Sequence, residues 1–105
     1  MNETRARFHI GQVVIHRLFG YRGVIVDADP CFEGSDEWYE ANARSRPPKD
    51  APWYRVLVDE ADHVTYVAER NLVPDDSGRP VRHPALENFL TDFRDGRYRP
   101  RETCN

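Results

Sequence analysis

The chain has 105 residues, of which 39% are hydrophobic and 31% charged, with a net charge of -3. This length and composition predict one small globular domain with a modest core. No apolar run approaches the ~18 residues of a membrane span, and the N-terminal residues lack the apolar core of a secretory signal. We therefore expect a cytoplasmic protein with no membrane partner.

The charge is unevenly distributed along the chain. Residues 1–26 hold four Arg and one acid (net +3), residues 27–78 are strongly acidic (net -8), and residues 79–105 hold six Arg and four acids (net +2). A dedicated duplex-DNA binder usually has a clear basic excess, because each phosphate contact releases counterions. Any nucleic-acid surface is therefore expected to be local and built from the two ends.

Residues 8–30 are the segment around which the rest of the chain is organised. Residues 12–16 alternate as a half-buried strand does, and residues 23–28 are β-branched and apolar. Gly20 and Gly23 bracket the connection between them, which predicts a tight hairpin turn. In the second strand we expect Val24 and Val26 on the core face and Ile25 on the opposite face.

Three further strand segments follow. Residues 53–59 and 64–68 alternate again, and residues 71–73 can add a last short pairing before Pro74. Between the first pair of strands and these, residues 31–52 contain five acids, three prolines and no convincing period, which predicts a long loop. Trp38 and Tyr39 within it are expected to pack the loop onto the sheet rather than bind a ligand.

The C-terminal region is predicted to be a linker, a helix and a tail. Residues 75–82 are rich in turn formers, and Pro84 suits the first turn of a helix. A helical period of apolar residues predicts a short amphipathic helix over about 84–95, ending near Gly96. Residues 97–105 are expected to form a loose basic tail. The apolar positions of this helix are Leu86, Phe89, Leu90 and Phe93.

The fold class expected from these elements is mainly β. Four to five short antiparallel strands over residues 8–74, with the long loop at 30–52, close most economically as a small SH3-like barrel, because closure removes exposed edges. The C-terminal helix then covers either its own barrel or a neighbouring copy, so a homo-oligomer stays open.

The residues of catalysis and metal binding do not form a recognisable constellation. The three serines fall in acidic or Pro/Gly-rich loops without a glycine elbow. The four histidines lack the spacing of a zinc site, and acidic neighbours should raise the pKa of the Cys31 thiol. Cys31 and Cys104 are distant in sequence, which predicts two free thiols. We expect a protein that is not an enzyme and has no metal or cofactor.

Two kinds of binding surface are open. Exposed strand edges or an aromatic groove could hold a protein segment, and the candidate residues are Trp38, Tyr39, Trp53, Tyr54, Tyr66, Phe89 and Phe93. Cations and an aromatic on the hairpin turn could instead contact phosphate and a base or its methyl group, although a solvated turn with the tyrosine packed down is equally compatible. The DNA candidates are Arg5, Arg7, Arg17, Tyr21 and Arg22, with Arg97, Arg99 and Arg101 as additional contacts.

Two blocks of the chain resemble a known family. The first is Phe8, residues 10–14, His16, Leu18 and residues 20–27 with Asp29-Pro30; the second is residues 51–54 with Val56, Val58, Asp59, residues 65–69 and Asn71-Leu72. Both are similar to the heat shock protein HspQ family, also called YccV-like or hemimethylated-DNA-binding domains. The loop from Cys31 to Asp50 and the region after Pro74 depart from this pattern.

The resemblance implies an SH3-like barrel without catalytic residues. It further implies two activities: assisting the ATP-dependent protease Lon in degrading denatured proteins, including the initiator DnaA, and binding hemimethylated DNA near the replication origin. The acidic middle of the chain favours the adaptor role, with Lon and its clients as protein partners, and leaves DNA binding as the alternative.

Overall fold

The structure, a computed structural model, describes residues 6–102. It contains seven strands, two short helices and one 3-10 helix. The strands are β1 Val13–His16, β2 Arg22–Asp29, β3 Trp53–Val58, β4 Val64–Ala68, β5 Leu72–Pro74, β6 Leu90–Arg94 and β7 Arg97–Pro100. The helices are α1 Asp36–Asn42 and α2 Leu86–Phe89, and the 3-10 helix is Glu69–Asn71.

The first five strands form one antiparallel sheet in the order β4-β3-β2-β1-β5. Consecutive strands from β1 to β4 are neighbours, as short hairpin connections favour. The 3-10 helix then carries the chain from the β4 edge to the β1 edge, where β5 pairs with β1. The expected mainly-β class and all five predicted strand segments are thus confirmed.

Both faces of this sheet are buried, which the alternation in the sequence did not indicate. Ile25, expected on the outer face, is 0% exposed and packs with Val14, Tyr54 and Val56. Val24 packs on the other face in a second cluster that includes Leu57, Val81, Leu90 and Tyr98. The expectation for Ile25 was wrong because its face holds a core formed by Phe8 and the five strands, while residues beyond 75 cover the Val24 face. A strand covered on both faces is apolar throughout.

A hairpin replaces most of the predicted C-terminal helix. Only Leu86–Phe89 is helical, and β6 and β7 form a second, two-stranded sheet. The helix over 84–95 was therefore wrong from residue 90 onward, and the loose tail was wrong over 97–100. The turn is Asp95-Gly96, with φ values of 55° and 78°, and two consecutive left-handed residues typify a tight hairpin turn.

The predicted loop at 31–52 also contains regular structure. Helix α1 begins after Ser35, whose Oγ accepts a hydrogen bond from the Trp38 N–H at 3.0 Å, and Asp36 and Glu37 lie in its first turn. Serine caps and acidic first-turn residues stabilise helix N-termini. This short capped helix was missed because seven residues hold too few apolar positions to display a period.

Arg22 fastens the segment after β5 onto the sheet. Its guanidinium donates to Asp59 at 2.7 Å, to Asp75 at 3.0 Å and to the carbonyl of Arg79 at 2.6 Å. The Arg22 side chain is only 12% exposed and that of Asp75 only 5%. A guanidinium that serves two carboxylates in this way holds the linker in place.

The C-terminal hairpin docks against Gly11. The Tyr98 N–H donates to the Gly11 carbonyl at 2.9 Å, and the Tyr98 hydroxyl accepts from the Val81 N–H at 2.8 Å. Gly11 has φ +94°, and a Cβ there would lie 2.0 Å from the Tyr98 carbonyl oxygen.

Within residues 6–102, no helix is long and apolar enough to cross a membrane.

Candidate binding groove and arginine surfaces

A groove of about 890 Å³ follows strand β4. All five residues of the strand, Val64–Ala68, line it. Successive side chains of a strand point to opposite faces, so a groove in contact with all five runs along the edge of the sheet. In the sheet of the described residues, β4 is the edge strand beside β3.

The backbone of β4 alternates between paired and open positions. His63 accepts from Val58 and Glu69 donates to Pro52, so both residues turn toward the β3 side. In an antiparallel ladder, hydrogen-bonded positions recur at every second residue. Thr65 and Val67 therefore also face β3, whereas Val64 and Tyr66 direct their N–H and C=O groups into the groove.

Aromatic side chains form one wall of the groove. Trp38 lies 6.1 Å from Trp53 and 5.7 Å from Tyr66 between ring centroids, and Trp53 lies 6.2 Å from Tyr39. Phe32 packs against all four rings. Trp38 and Tyr39 thus pack the 31–52 segment onto the sheet as expected, while Trp38 and Tyr66 remain partly exposed.

Hydrogen bonds fix the orientation of Tyr66 in this wall. Its hydroxyl donates to Asp29 at 2.6 Å and accepts from the Glu33 N–H at 3.0 Å. Burial, together with the hydrogen bond to the Asp29 carboxylate, raises the pKa of Tyr66 to about 12. The phenol therefore stays protonated near neutral pH and holds the start of the 31–52 segment at the groove.

The turn between β1 and β2 forms the opposite wall. Phe19 is 75% exposed and Leu18 56% exposed. Phe19 stacks on His16 with 4.6 Å between ring centroids, and His16 Nδ1 accepts the N–H groups of Leu18 and Phe19. Burial lowers the pKa of His16, so a neutral imidazole orders this turn. Phe19 was missed as a binding residue; an aromatic preceding a turn glycine was the available signal.

The charged residues that line the groove are both arginines, Arg44 and Arg55. Arg44 follows helix α1 and is exposed. The Arg55 guanidinium lies 5.0 Å from the Tyr66 ring centroid, and its Nε lies 3.6 Å from Asp27 Oδ2. The groove is therefore apolar with a positive rim, although the chain as a whole is acidic.

The structure separates the residues proposed for DNA contact. Arg22 is committed to its internal ion pairs, and Tyr21 packs against the core with its hydroxyl 2.8 Å from Thr65 Oγ1. The packed-down alternative for the tyrosine is thus the one observed. Arg7 and Arg17 are exposed and both contact the 3-10 helix, through Glu69 and Arg70 respectively. Arg5 lies outside the described residues.

The C-terminal hairpin presents a further group of arginines. Arg97 and Arg99 lie on the face opposite the buried Tyr98, and Arg94 pairs directly with Arg97 across the hairpin. Like charges at directly opposed positions destabilise a strand pair. None of the three forms an ion pair with another residue of the described chain. Arg101 instead donates to the Glu87 carbonyl at 2.8 Å.

The residues proposed for protein contact also divide. Tyr54 is 0% exposed and donates to Glu69, so it belongs to the core. Phe93 is half-buried against Tyr98, whereas Phe89 is 44% exposed outside the groove. Trp38, Trp53 and Tyr66 line the groove, and Tyr39 is buried behind them in the same aromatic cluster. Of the candidate set, Trp38 and Tyr66 are therefore the ones both in the groove and partly accessible.

Cys31 is the one cysteine among residues 6–102. Cys31 is a free, exposed cysteine, and a hydrogen bond to Glu33 raises the pKa of its thiol, as its acidic neighbourhood predicted. Cys104 lies outside the described residues. Within residues 6–102 no group of three or more potential ligands could hold a metal ion.

The chain matches a protein-family model over most of its length. The family model described as "Hemimethylated DNA-binding protein YccV like" matches residues 6–97, which include the groove, both of its walls and most of the C-terminal hairpin.

Proposed function

We propose that this chain, which belongs to the YccV-like family, is a non-catalytic adaptor that captures extended segments of denatured proteins for the ATP-dependent protease Lon, with DnaA among its clients. The observation that carries the proposal is the groove along β4, where an open strand edge lies between two apolar walls. An extended segment placed there gains main-chain hydrogen bonds from the edge and side-chain contacts from the walls.

Denatured proteins suit such a site. They expose extended apolar segments that a folded protein buries, and the β4 edge recognises backbone groups that every client shares. Phe19 and Leu18 on one wall and Trp38 on the other supply apolar contact without a requirement for one sequence. A broad range of clients follows from this combination, as a heat-shock role requires.

The test is a reconstituted degradation assay with Lon and a denatured model substrate. We expect the protein to accelerate turnover and Phe19→Ala to lose most of that effect. Phe89→Ala, which removes an exposed phenylalanine outside the groove, is the matched control and should retain it. Equal activity of the two variants would overturn the assignment of the groove, and no acceleration by the wild type at any concentration would overturn the adaptor role.

Binding of hemimethylated DNA is the second candidate function. It is supported by the description of the family and by the unpaired arginines on the C-terminal hairpin, Arg94, Arg97 and Arg99. Phosphate groups would relieve the repulsion between Arg94 and Arg97. This site would contact the backbone, and the direct reading of a methyl group would have to come from other residues.

Titration across ionic strength tests the DNA function. With three arginines on phosphates, log affinity should fall with log salt at a slope of about 3, and Arg94→Gln with Arg97→Gln should reduce it by about 2. Arg46→Gln is the control, because Arg46 pairs with Glu40 on the 31–52 segment. An unchanged slope in the double variant would exclude the hairpin, and equal affinity for hemimethylated and unmethylated duplexes would remove the specific reading.

We propose in addition that the five-stranded sheet is an SH3-like barrel. The order β4-β3-β2-β1-β5, with the 3-10 helix between β4 and β5, supports this. The length of that connection also supports it: only the three residues Glu69–Asn71 join the two edge strands β4 and β5, and so short a segment could not span a flat sheet of five strands. An experimental structure in which β4 and β5 lie far apart with a flat sheet between them would contradict it.

A further inference from the structure

We propose that the groove along β4 selects extended segments that carry acidic side chains, with Arg44 and Arg55 as the residues that recognise the carboxylates. This inference rests on the protein-binding function proposed above and adds to it the chemical class of the client segment. The first argument is charge. Residues 27–78 have a net charge of -8, yet the charged residues among the groove-lining side chains are two arginines and no acid.

Arg55 has hydrogen-bond donors available for a second carboxylate. It lies on β3 opposite Tyr66 of β4, and its guanidinium is held over the Tyr66 ring. The contact to Asp27 runs through Nε at 3.6 Å, beyond hydrogen-bonding distance, and the Arg55 side chain is 52% exposed. A guanidinium oriented by an aromatic ring but not saturated by its acid retains donors for a bidentate partner.

Arg44 adds a second positive charge on the same side of the strand edge. It follows Ala43, which packs with Trp53 and Ala68 in the aromatic cluster. The Arg44 side chain is exposed, and no carboxylate of the described residues forms an ion pair with it. His16 also lines the groove, and burial lowers the pKa of its imidazole, so the two arginines carry the positive charge there.

The geometry of an added strand predicts the sequence pattern of the client. Arg55, Tyr66 and Trp53 lie on one side of the β4 edge, whereas Tyr21, Thr65 and the Phe19 turn lie on the other. Because side chains of an extended segment alternate between the two sides, acidic residues should occur at every second position. The intervening positions should be apolar and face Leu18 and Phe19.

The experiment uses the full chain and synthetic peptides with blocked, uncharged termini. Three peptides share valines at alternate positions and carry glutamate, glutamine or lysine between them, and binding is measured by fluorescence anisotropy. We expect the glutamate peptide to bind about fivefold more tightly than the glutamine peptide at low salt, as two exposed ion pairs allow, and the lysine peptide to bind most weakly. The glutamate preference should shrink at roughly 0.5 M salt, because at that ionic strength exposed charges are screened from one another within a few ångströms.

The variant Arg44→Gln with Arg55→Gln should abolish the glutamate preference and leave the glutamine peptide's affinity unchanged. Arg46→Gln, which removes one paired arginine outside the groove, is the control and should keep the preference. Equal binding of the glutamate and glutamine peptides to the wild type would overturn the acidic preference while the protein-binding function stands. Absence of binding by all three peptides would overturn both.

Discussion

Arg22 shows how a residue with the chemistry of a binding site can serve the fold instead. In the sequence it lies beside Tyr21 and near Arg17 on a turn, a combination that suits phosphate contact. The side chain turns inward because Asp59 and Asp75 are both positioned by the strand pairing to receive it. Those partners lie 37 and 53 residues away along the chain, so no local pattern could have indicated them.

The carboxylate of Asp75 makes this cluster sensitive to acid. Burial opposes its ionisation, but hydrogen bonds from Arg22 and Ser77 outweigh that effect and lower the pKa of Asp75. A carboxyl whose folded-state pKa is depressed stabilises the protein above its unfolded value of about 3.9, and this contribution is lost as the pH falls through the folded value.

We therefore expect Asp75→Asn to lower the free energy of unfolding at pH 7 by about 2 kcal/mol. The variant should also lose less stability than the wild type as the pH falls below about 4, measured by urea unfolding at several pH values. Asp76→Asn, at an exposed neighbouring position, is the control and should match the wild type. Parallel pH profiles for wild type and Asp75→Asn would contradict this account.

The C-terminal hairpin, at the scale of elements, completes the second core. Leu90 and Tyr98 cover the face of the sheet that carries Val24 and Leu57. The hairpin reaches that face only because Gly11 allows the backbone of β7 to approach closely. The sequence pattern of this region favoured a helix, and tertiary contact overrode it.

Alanine substitutions at two glycines can distinguish the energetic effect of this close approach from that of backbone strain. Gly11 and Gly96 both have positive φ, so alanine at either position costs roughly 1–2 kcal/mol in strain. A Cβ at Gly96 would have its nearest neighbour at 3.8 Å, whereas at Gly11 it would meet the Tyr98 carbonyl oxygen. We expect Gly11→Ala to destabilise the protein clearly more than Gly96→Ala in thermal unfolding; equal losses would show that the docking contact is unimportant.

The alternation along β4 predicts a pattern of amide exchange. The N–H groups of Thr65 and Val67 face β3 and should be protected, whereas those of Val64 and Tyr66 face the groove and should exchange quickly. Addition of a binding peptide should slow Val64 and Tyr66 and leave the other two unchanged. Hydrogen exchange followed by NMR resolves each position, and uniform protection along β4 without peptide would argue against an open edge.

The groove and the hairpin arginines, at the scale of the whole molecule, are built from different parts of the chain. The groove is lined by residues between His16 and Asn71, whereas the unpaired arginines of the hairpin lie in β6 and β7. We expect a groove peptide and a DNA duplex to bind without competition. Displacement of labelled peptide by unlabelled duplex, with an excess of unlabelled peptide as the positive control, would contradict this separation.

The sequence supported the parts of this architecture that depend on local pattern. The strands of residues 12–74 were recognisable because β-branched residues alternate there and turn formers separate them. Helix α1 was not recognised because it is too short to show an apolar period, and the capping residue Ser35 was the main sign of its start. The β6–β7 hairpin was not recognised because the apolar residues from Leu86 to Phe93 fit a helical period. The Asp95-Gly96 dipeptide was a stronger local signal than this period, since it suits the tight turn of a hairpin, in which two consecutive residues have positive φ.

The candidate site depended on contacts that no local pattern contains. Trp38 and Tyr39 could be expected to pack the 31–52 segment onto the sheet, but their position beside β4 follows from the path of the whole segment. Phe19 gains its importance only because His16 fixes the turn beneath it. The sequence could indicate that aromatic residues would form a binding surface, but it could not show which segments meet at the β4 edge.

The open edge of β4 links the binding of a peptide segment there to the thermal stability of the protein. On the protein-binding function proposed above, a segment that pairs with β4 would bind the native state and not the unfolded chain, so mass action would raise the melting temperature as the segment accumulates. The protein would then be most durable while it is loaded, at the temperatures at which unfolded clients are most abundant.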